Sequence, residues 1–175
     1  MKRNSLSIIW IVVLLAFGSR AQASTSSTSA TATIVVPLSL GLARDLDFGT
    51  IIPGATQGTV SVNPATGVRT PSGGVTLVNS IYGAALFNIT GTKNRNYTIK
   101  FTNKSITIKN TANTNIKMTV NLFTSDLPSN GNGTYTSSYD ATGKASFHVG
   151  GTLAVAANQA PGSYTGTFDV EVNYN

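Results

Sequence analysis

Two stretches of this sequence alternate apolar and polar residues with a period of two, and that period is compatible only with extended backbone. In residues 162–175, Tyr164, Phe168, Val170, Val172 and Tyr174 share one parity, while Thr165, Thr167, Asp169, Glu171 and Asn173 share the other. In residues 30–42, Ala30, Ala32, Ile34, Val36, Leu38, Leu40 and Leu42 alternate with Thr31, Thr33, Val35, Pro37, Ser39 and Gly41. Each stretch reads as one long strand with an apolar face. Pro37 has no N–H to give to a ladder, so this part of the first strand belongs on a sheet edge or at a bulge. The last strand reaches Asn175 and is expected to be tied into a sheet rather than frayed.

Between the two, shorter runs repeat the pattern. Residues 46–54 read as a short strand closed by a Pro-Gly turn, residues 58–64 as another that turns at Asn-Pro, and residues 75–78 as its continuation after Pro71, Gly73 and Gly74. Leu86 and Ile89, then Tyr97, Ile99 and Phe101, then Ile106 and Ile108, then Ile116, Met118, Val120 and Leu122 mark further strands, and Phe147, Val149, Leu153 and Val155 the penultimate ones. No segment holds an i, i+3, i+4 apolar pattern over a helical length. About ten short strands bounded by Asn, Gly, Lys and Ser clusters predict an all-β protein, an antiparallel immunoglobulin-like β-sandwich with Greek-key connections. A closed barrel is the alternative.

The first residues read as an address. Lys2 and Arg3 precede a largely apolar run over residues 6–17, and Ala21-Gln22-Ala23 offers the small-x-small pattern of a signal-peptidase site. The run is shorter than the roughly 20 apolar residues of a spanning helix, so residues 1–23 are expected to be cleaved and no membrane span retained. The exported chain is then one domain over residues 30–175, preceded by a flexible Ser/Thr leader at residues 24–29. Its 152 residues contain no cysteine, so a core and backbone ladders must hold the fold without disulfides. The only tryptophan, Trp10, leaves with residues 1–23.

Groups able to do catalysis are few. His148 is the sole histidine, and with Phe147 and Val149 as neighbours it is expected on an outer strand face. Asp45 with Asp47, and Asp169 with Glu171, are i, i+2 carboxylate pairs on extended chain. A calcium site requires six to eight oxygens, and no loop here supplies the remainder. There is no phosphate-cradling glycine loop, nucleophile elbow or zinc spacing. The expectation is a protein that is not an enzyme, with no catalytic residues, metal or cofactor.

Charge and loops point to contacts instead. After removal of Lys2, Arg3 and Arg20 the net charge is +3, with Lys93, Arg95, Lys100, Lys104, Lys109 and Lys117 in an acid-free middle. Lys100, Lys109 and Lys117 take the polar parity, which predicts a basic outer patch able to meet a surface polysaccharide. Interleaved exposed aromatics are lacking, so nucleic acid is not an expected partner. The polar connection over residues 129–143 holds Tyr135 and Tyr139 and reads as a candidate ligand loop. Four Asn-x-Ser/Thr sequons, at Asn88, Asn96, Asn103 and Asn132, matter only in a eukaryotic secretory host.

A glycine fourteenth from the end, alternating apolar residues and a penultimate tyrosine resemble the C-terminal signature of bacterial fimbrial subunits of the chaperone–usher type, carried here by Gly162, Phe168, Val170, Val172 and Tyr174. More loosely, Leu46-Asp47-Phe48-Gly49 and Gly150-Gly151-Thr152-Leu153 resemble spore-coat-U-like and related secreted sandwich domains. The resemblance implies an incomplete sandwich whose apolar groove is filled first by a periplasmic chaperone and later by the N-terminal extension of a neighbouring copy, with an usher assisting assembly. It implies that Phe168, Val170, Val172 and Tyr174 line or border the groove, that the Asn175 carboxylate meets the chaperone, and that Ala30, Ala32, Ile34, Val36 and Leu38 are donated. Residues 30–42 have a second reading as the protein's own first strand. The expected function is a structural subunit of an extracellular filament, fimbria or surface coat built by β-strand complementation. The alternative is a monomeric secreted adhesin or carbohydrate-binding module that uses Tyr135 and Tyr139.

Overall fold

The computed structural model of this chain describes Ser29 and residues 31–175. The expected signal peptide at residues 1–23, the leader apart from Ser29, and Ala30 lie outside the described residues. Within them alternation becomes twelve strands and no helix: β1 (Ser39–Arg44), β2 (Ile51–Val62), β3 (Arg69–Leu77), β4 (Ala85–Thr90), β5 (Asn96–Phe101), β6 (Ser105–Asn110), β7 (Lys117–Ser125), β8 (Ser129–Gly131), β9 (Thr134–Ser138), β10 (Lys144–Val155), β11 (Tyr164–Thr165) and β12 (Val170–Tyr174). Every pairing is antiparallel. An eight-stranded sheet follows the order β1-β4-β10-β7-β6-β11, with β2 also on β10 and β3 on β2, and a four-stranded sheet follows β12-β5-β9-β8. The two form a sandwich, as alternation requires of strands with one apolar face.

The twelve-residue β10 is the spine of the larger sheet. Along one edge its first half pairs with β4 and its second half with β2, while β7 runs along the other edge. Gly150 sits where the partner changes. A Cβ there would collide with the Val62 carbonyl oxygen and the Pro64 ring, so the Gly150-Gly151 pair lets two strands abut on one. The β10–β7 register also shifts between Gly150 and Thr152.

The core follows parity. Ala85, Phe87 and Ile89 of β4, Tyr97 and Ile99 of β5, Val120 and Phe123 of β7, and Phe147, Val149, Leu153 and Val155 of β10 are buried in one cluster. Aromatic rings fill the core: Phe101 of β5 meets Phe123 of β7 across the two sheets at 6.0 Å, Phe87 stacks on its cross-strand partner Phe147 within the large sheet at 5.2 Å, and Phe168 stacks on Phe123 at 4.8 Å while meeting Phe87 edge-on at 6.3 Å. Each fully buried aliphatic or aromatic side chain contributes about 1.5–3 kcal/mol.

Four expectations about local structure are corrected. Residues 162–175 are not one strand: β11 pairs with β6 in the large sheet, the chain crosses at residues 166–169, and β12 pairs with β5 in the small one. The described residues 31–42 form no single strand either. Only β1 joins a ladder, because its partner β4 ends at Thr90, opposite Ser39, and the residues before Ser39 run past it. The Pro-Gly turn at residues 53–54 is absent. β2 runs through it, and a register shift between Pro53 and Gly58 accommodates the proline. Finally, residues 129–143 are no open loop, since they hold β8 and β9.

Candidate functional site

β1 and β12 are edge strands, one in each sheet, and they share a margin of the sandwich where Tyr174 at the end of β12 meets Val36 just before β1. β1 pairs only with β4 and β12 only with β5, so each leaves one row of backbone groups unpaired. Phe168, just before β12, packs on Phe87 of β4. Tyr174 of β12 reaches Thr92 just beyond β4, and its hydroxyl donates to the Val36 carbonyl at 2.6 Å.

This margin is poorly covered. Leu40 and Leu42 pair with Ile89 and Phe87, whose side chains are buried, so they too face the interior. They are nevertheless 37% and 57% exposed. Val170, Val172 and Tyr174 pack against the core but stay only half-buried. The result is an uncovered apolar strip on β1 and a half-covered one on β12, each on a strand with a free edge.

Residues 34–38 lie close by without entering a ladder. Ile34 is 94% and Val36 57% exposed, while Leu38 is half-buried. Val36 is anchored at both ends of its peptide: its N–H donates to Thr92 Oγ1 at 2.8 Å and its carbonyl accepts from Tyr174. Ala32 is exposed and in no strand, and Ala30 lies outside the described residues. Pro37 precedes β1, so its missing N–H breaks no ladder.

Of the five residues of the C-terminal signature, Val170, Val172 and Tyr174 stand at this margin. Phe168 lies on the crossing segment and points into the aromatic core. Gly162 lies elsewhere. It occupies a turn at φ 137° packed against the Asn110 side chain of β6, at the start of β11 in the other sheet.

Tyr135 and Tyr139 are corrected outright. Both are buried members of the core, with Tyr139 only 2% exposed, because Tyr135, Ser137 and Tyr139 share the inward parity of β9 and its extension. Tyr139 tilts against Tyr97 at 4.9 Å and Tyr174 at 5.8 Å. Burial pushes its phenol up to about 12, helped by the neighbouring tyrosines, and burial likewise raises that of Tyr97. The tyrosine ligand loop therefore does not exist.

The lysine patch is divided. Lys109 and Lys117 lie directly opposite each other on β6 and β7 of the large sheet, whereas Lys100 sits on β5 of the small sheet, opposite Glu171. Asp47 Oδ1 accepts the Gly49 N–H at 2.7 Å, an ordinary local turn contact. Asp45, Asp169 and Glu171 are exposed.

Two features escaped the sequence. Asp126 clamps His148, accepting its backbone N–H at 2.8 Å and facing its Nδ1 at 2.7 Å. Arg69 is buried with no carboxylate on it among the described residues. Its guanidinium donates to the carbonyls of Phe48 at 2.8 Å, Thr50 at 3.1 Å and Val78, and lies 4.5 Å from the Tyr82 ring centroid. Nothing in the alternation signals either pair, because both are set by loop packing between distant strands.

Among known proteins, the model of a family described as "Domain of unknown function (DUF4402)" matches residues 38–174. No curated protein and no solved structure matches the chain.

Proposed function

The chain belongs to the DUF4402 domain family, and we propose that this member is an exported structural subunit of an extracellular filament, fimbria or surface coat that assembles by β-strand complementation. One observation carries the reading: a free β12 edge beside uncovered, inward-facing Leu40 and Leu42 adjoins an alternating segment that has no ladder of its own. A strand laid along β12 would satisfy its unpaired backbone groups and cover the two leucines, with alternate side chains setting register.

The segment of a second copy has the right chemistry for that place. Ala32, Ile34, Val36 and Leu38 form one apolar row, and Ile34 and Val36 are largely exposed in the single chain. Burying two such side chains contributes about 1.5–3 kcal/mol each, before any backbone hydrogen bond is counted. A periplasmic chaperone and an usher are the partners this reading adds, since an open apolar edge needs cover before assembly.

The test is electron microscopy with unboiled SDS gels of the purified protein. Filaments or a heat-sensitive ladder are expected, and deletion of residues 24–36 should abolish them while circular dichroism still reports a folded sandwich. A single monomer band persisting at high concentration argues against complementation. A deletion that unfolds the domain would make the segment an internal part of its own sandwich.

A further inference from the structure

On the outer face of the large sheet, Arg44, Leu86 and His148 occupy one row across β1, β4 and β10. The row exists because β1 slips by one residue between Leu42 and Arg44, a bulge that turns Arg44 to the outer face. Two interstrand spacings separate Arg44 and His148, about 10 Å. The turn after β2 and the loop after β3 rise over this row and enclose a cleft of about 340 Å³ lined by Arg44, Pro64, Thr66, Val68, Tyr82 and His148.

The groups in the cleft are held in place from behind. Arg44 Nε donates to the Ala84 carbonyl at 2.9 Å, which fixes the guanidinium plane and leaves its terminal N–H groups without an acceptor among the described residues. Tyr82 rests on the buried Arg69, itself tied to three backbone carbonyls, so the ring is a rigid platform. Asp126 holds the His148 ring through Nδ1, leaving Nε2 without a protein partner among the described residues. Both Asp126 oxygens are engaged with His148, and no carboxylate lines the cleft.

We infer that this cleft binds a sugar ring bearing a carboxylate, a uronate-type residue of an acidic glycan. A planar guanidinium with free paired N–H groups matches a carboxylate bidentately. The exposed Tyr82 face, flanked by Pro64 and Val68, suits the apolar face of a pyranose ring. Thr66 supplies a hydroxyl for the ring's own hydroxyls. A neutral sugar would leave the Arg44 donors unmatched.

The experiment is isothermal titration calorimetry of the purified protein with a galacturonic acid disaccharide, its neutral galactose counterpart and inorganic phosphate. Hydrogen exchange of the peptides covering residues 63–68 and 82–84 locates the site. The acidic disaccharide is expected to bind and to slow exchange in both peptides, with the neutral sugar at least about tenfold weaker and Arg44→Gln losing about tenfold. Arg44→Lys, which keeps the charge but not the fork, should lose most of the same affinity. Thermal unfolding of both variants controls for folding. Equal binding of the neutral sugar, phosphate binding as tightly as the uronate, protection elsewhere in the chain, binding unchanged in folded Arg44→Gln, or no heat with the acidic sugar would each overturn the assignment.

Discussion

The Tyr174 hydroxyl donates to the Val36 carbonyl at 2.6 Å and accepts the Thr92 N–H at 2.7 Å, so one oxygen joins residues 138 positions apart in sequence. Tyr174→Phe removes both bonds and leaves the ring, at a cost of about 1–2 kcal/mol in urea unfolding. Amide exchange at Val36 should quicken as its peptide loosens. If residues 34–38 are the donor, the variant also assembles faster, and an unchanged assembly rate would mean that the phenol does not restrain the segment.

Arg69→Met should destabilise the domain by about 3 kcal/mol, because it leaves the carbonyls of Phe48, Thr50 and Val78 without their charged donor. Chemical denaturation measures this. Arg69→Lys should recover little, since an ammonium cannot reach three carbonyls with one planar fork.

High pH should expose the buried tyrosines. The Tyr139 phenol is pushed from 10.0 to about 12 by burial, and Tyr97 is raised as well. The folded chain therefore keeps protons that the unfolded chain releases, and stability present below pH 10 is lost as pH climbs toward 12. The Tyr139 hydroxyl is also buried without a hydrogen-bond partner among the described residues. Tyr139→Phe is thus expected to match or exceed the parent's stability at pH 7, and to lose less of it between pH 10 and 12. Urea midpoints across that range check both statements.

Gly150→Ala places a methyl group against the Val62 carbonyl and the Pro64 ring where β4 and β2 abut on β10. A loss of about 3 kcal/mol is expected from overpacking at a site framed by backbone. Gly67→Ala has open space around its Cβ, and its smaller loss, from its positive φ alone, is the control.

Much of the fold was legible in single residues. Alternation assigned Tyr97, Ile99, Phe147 and Val149 to an apolar face and His148 to an outer one, but in the strand marked by Leu86 and Ile89 it is Phe87 and Ile89 that turn inward while Leu86 stands opposite His148. It also put Val170, Val172 and Tyr174 on the covered side of the last strand. The same rule applied to Tyr135 and Tyr139 would have buried them, but their polar neighbours suggested a loop.

Period-two patterning is a local property, fixed by the geometry of an extended backbone, so the sequence by itself determined an all-β chain with these inward side chains. Which strands become neighbours is set by long-range register and by where partners end. Only the tertiary structure decided that residues 162–175 divide between two sheets, that residues 34–38 outrun β4, and that a bulge aligns Arg44 with His148. Those three outcomes depend on hydrogen bonds and contacts between residues far apart in the chain, which no local pattern encodes.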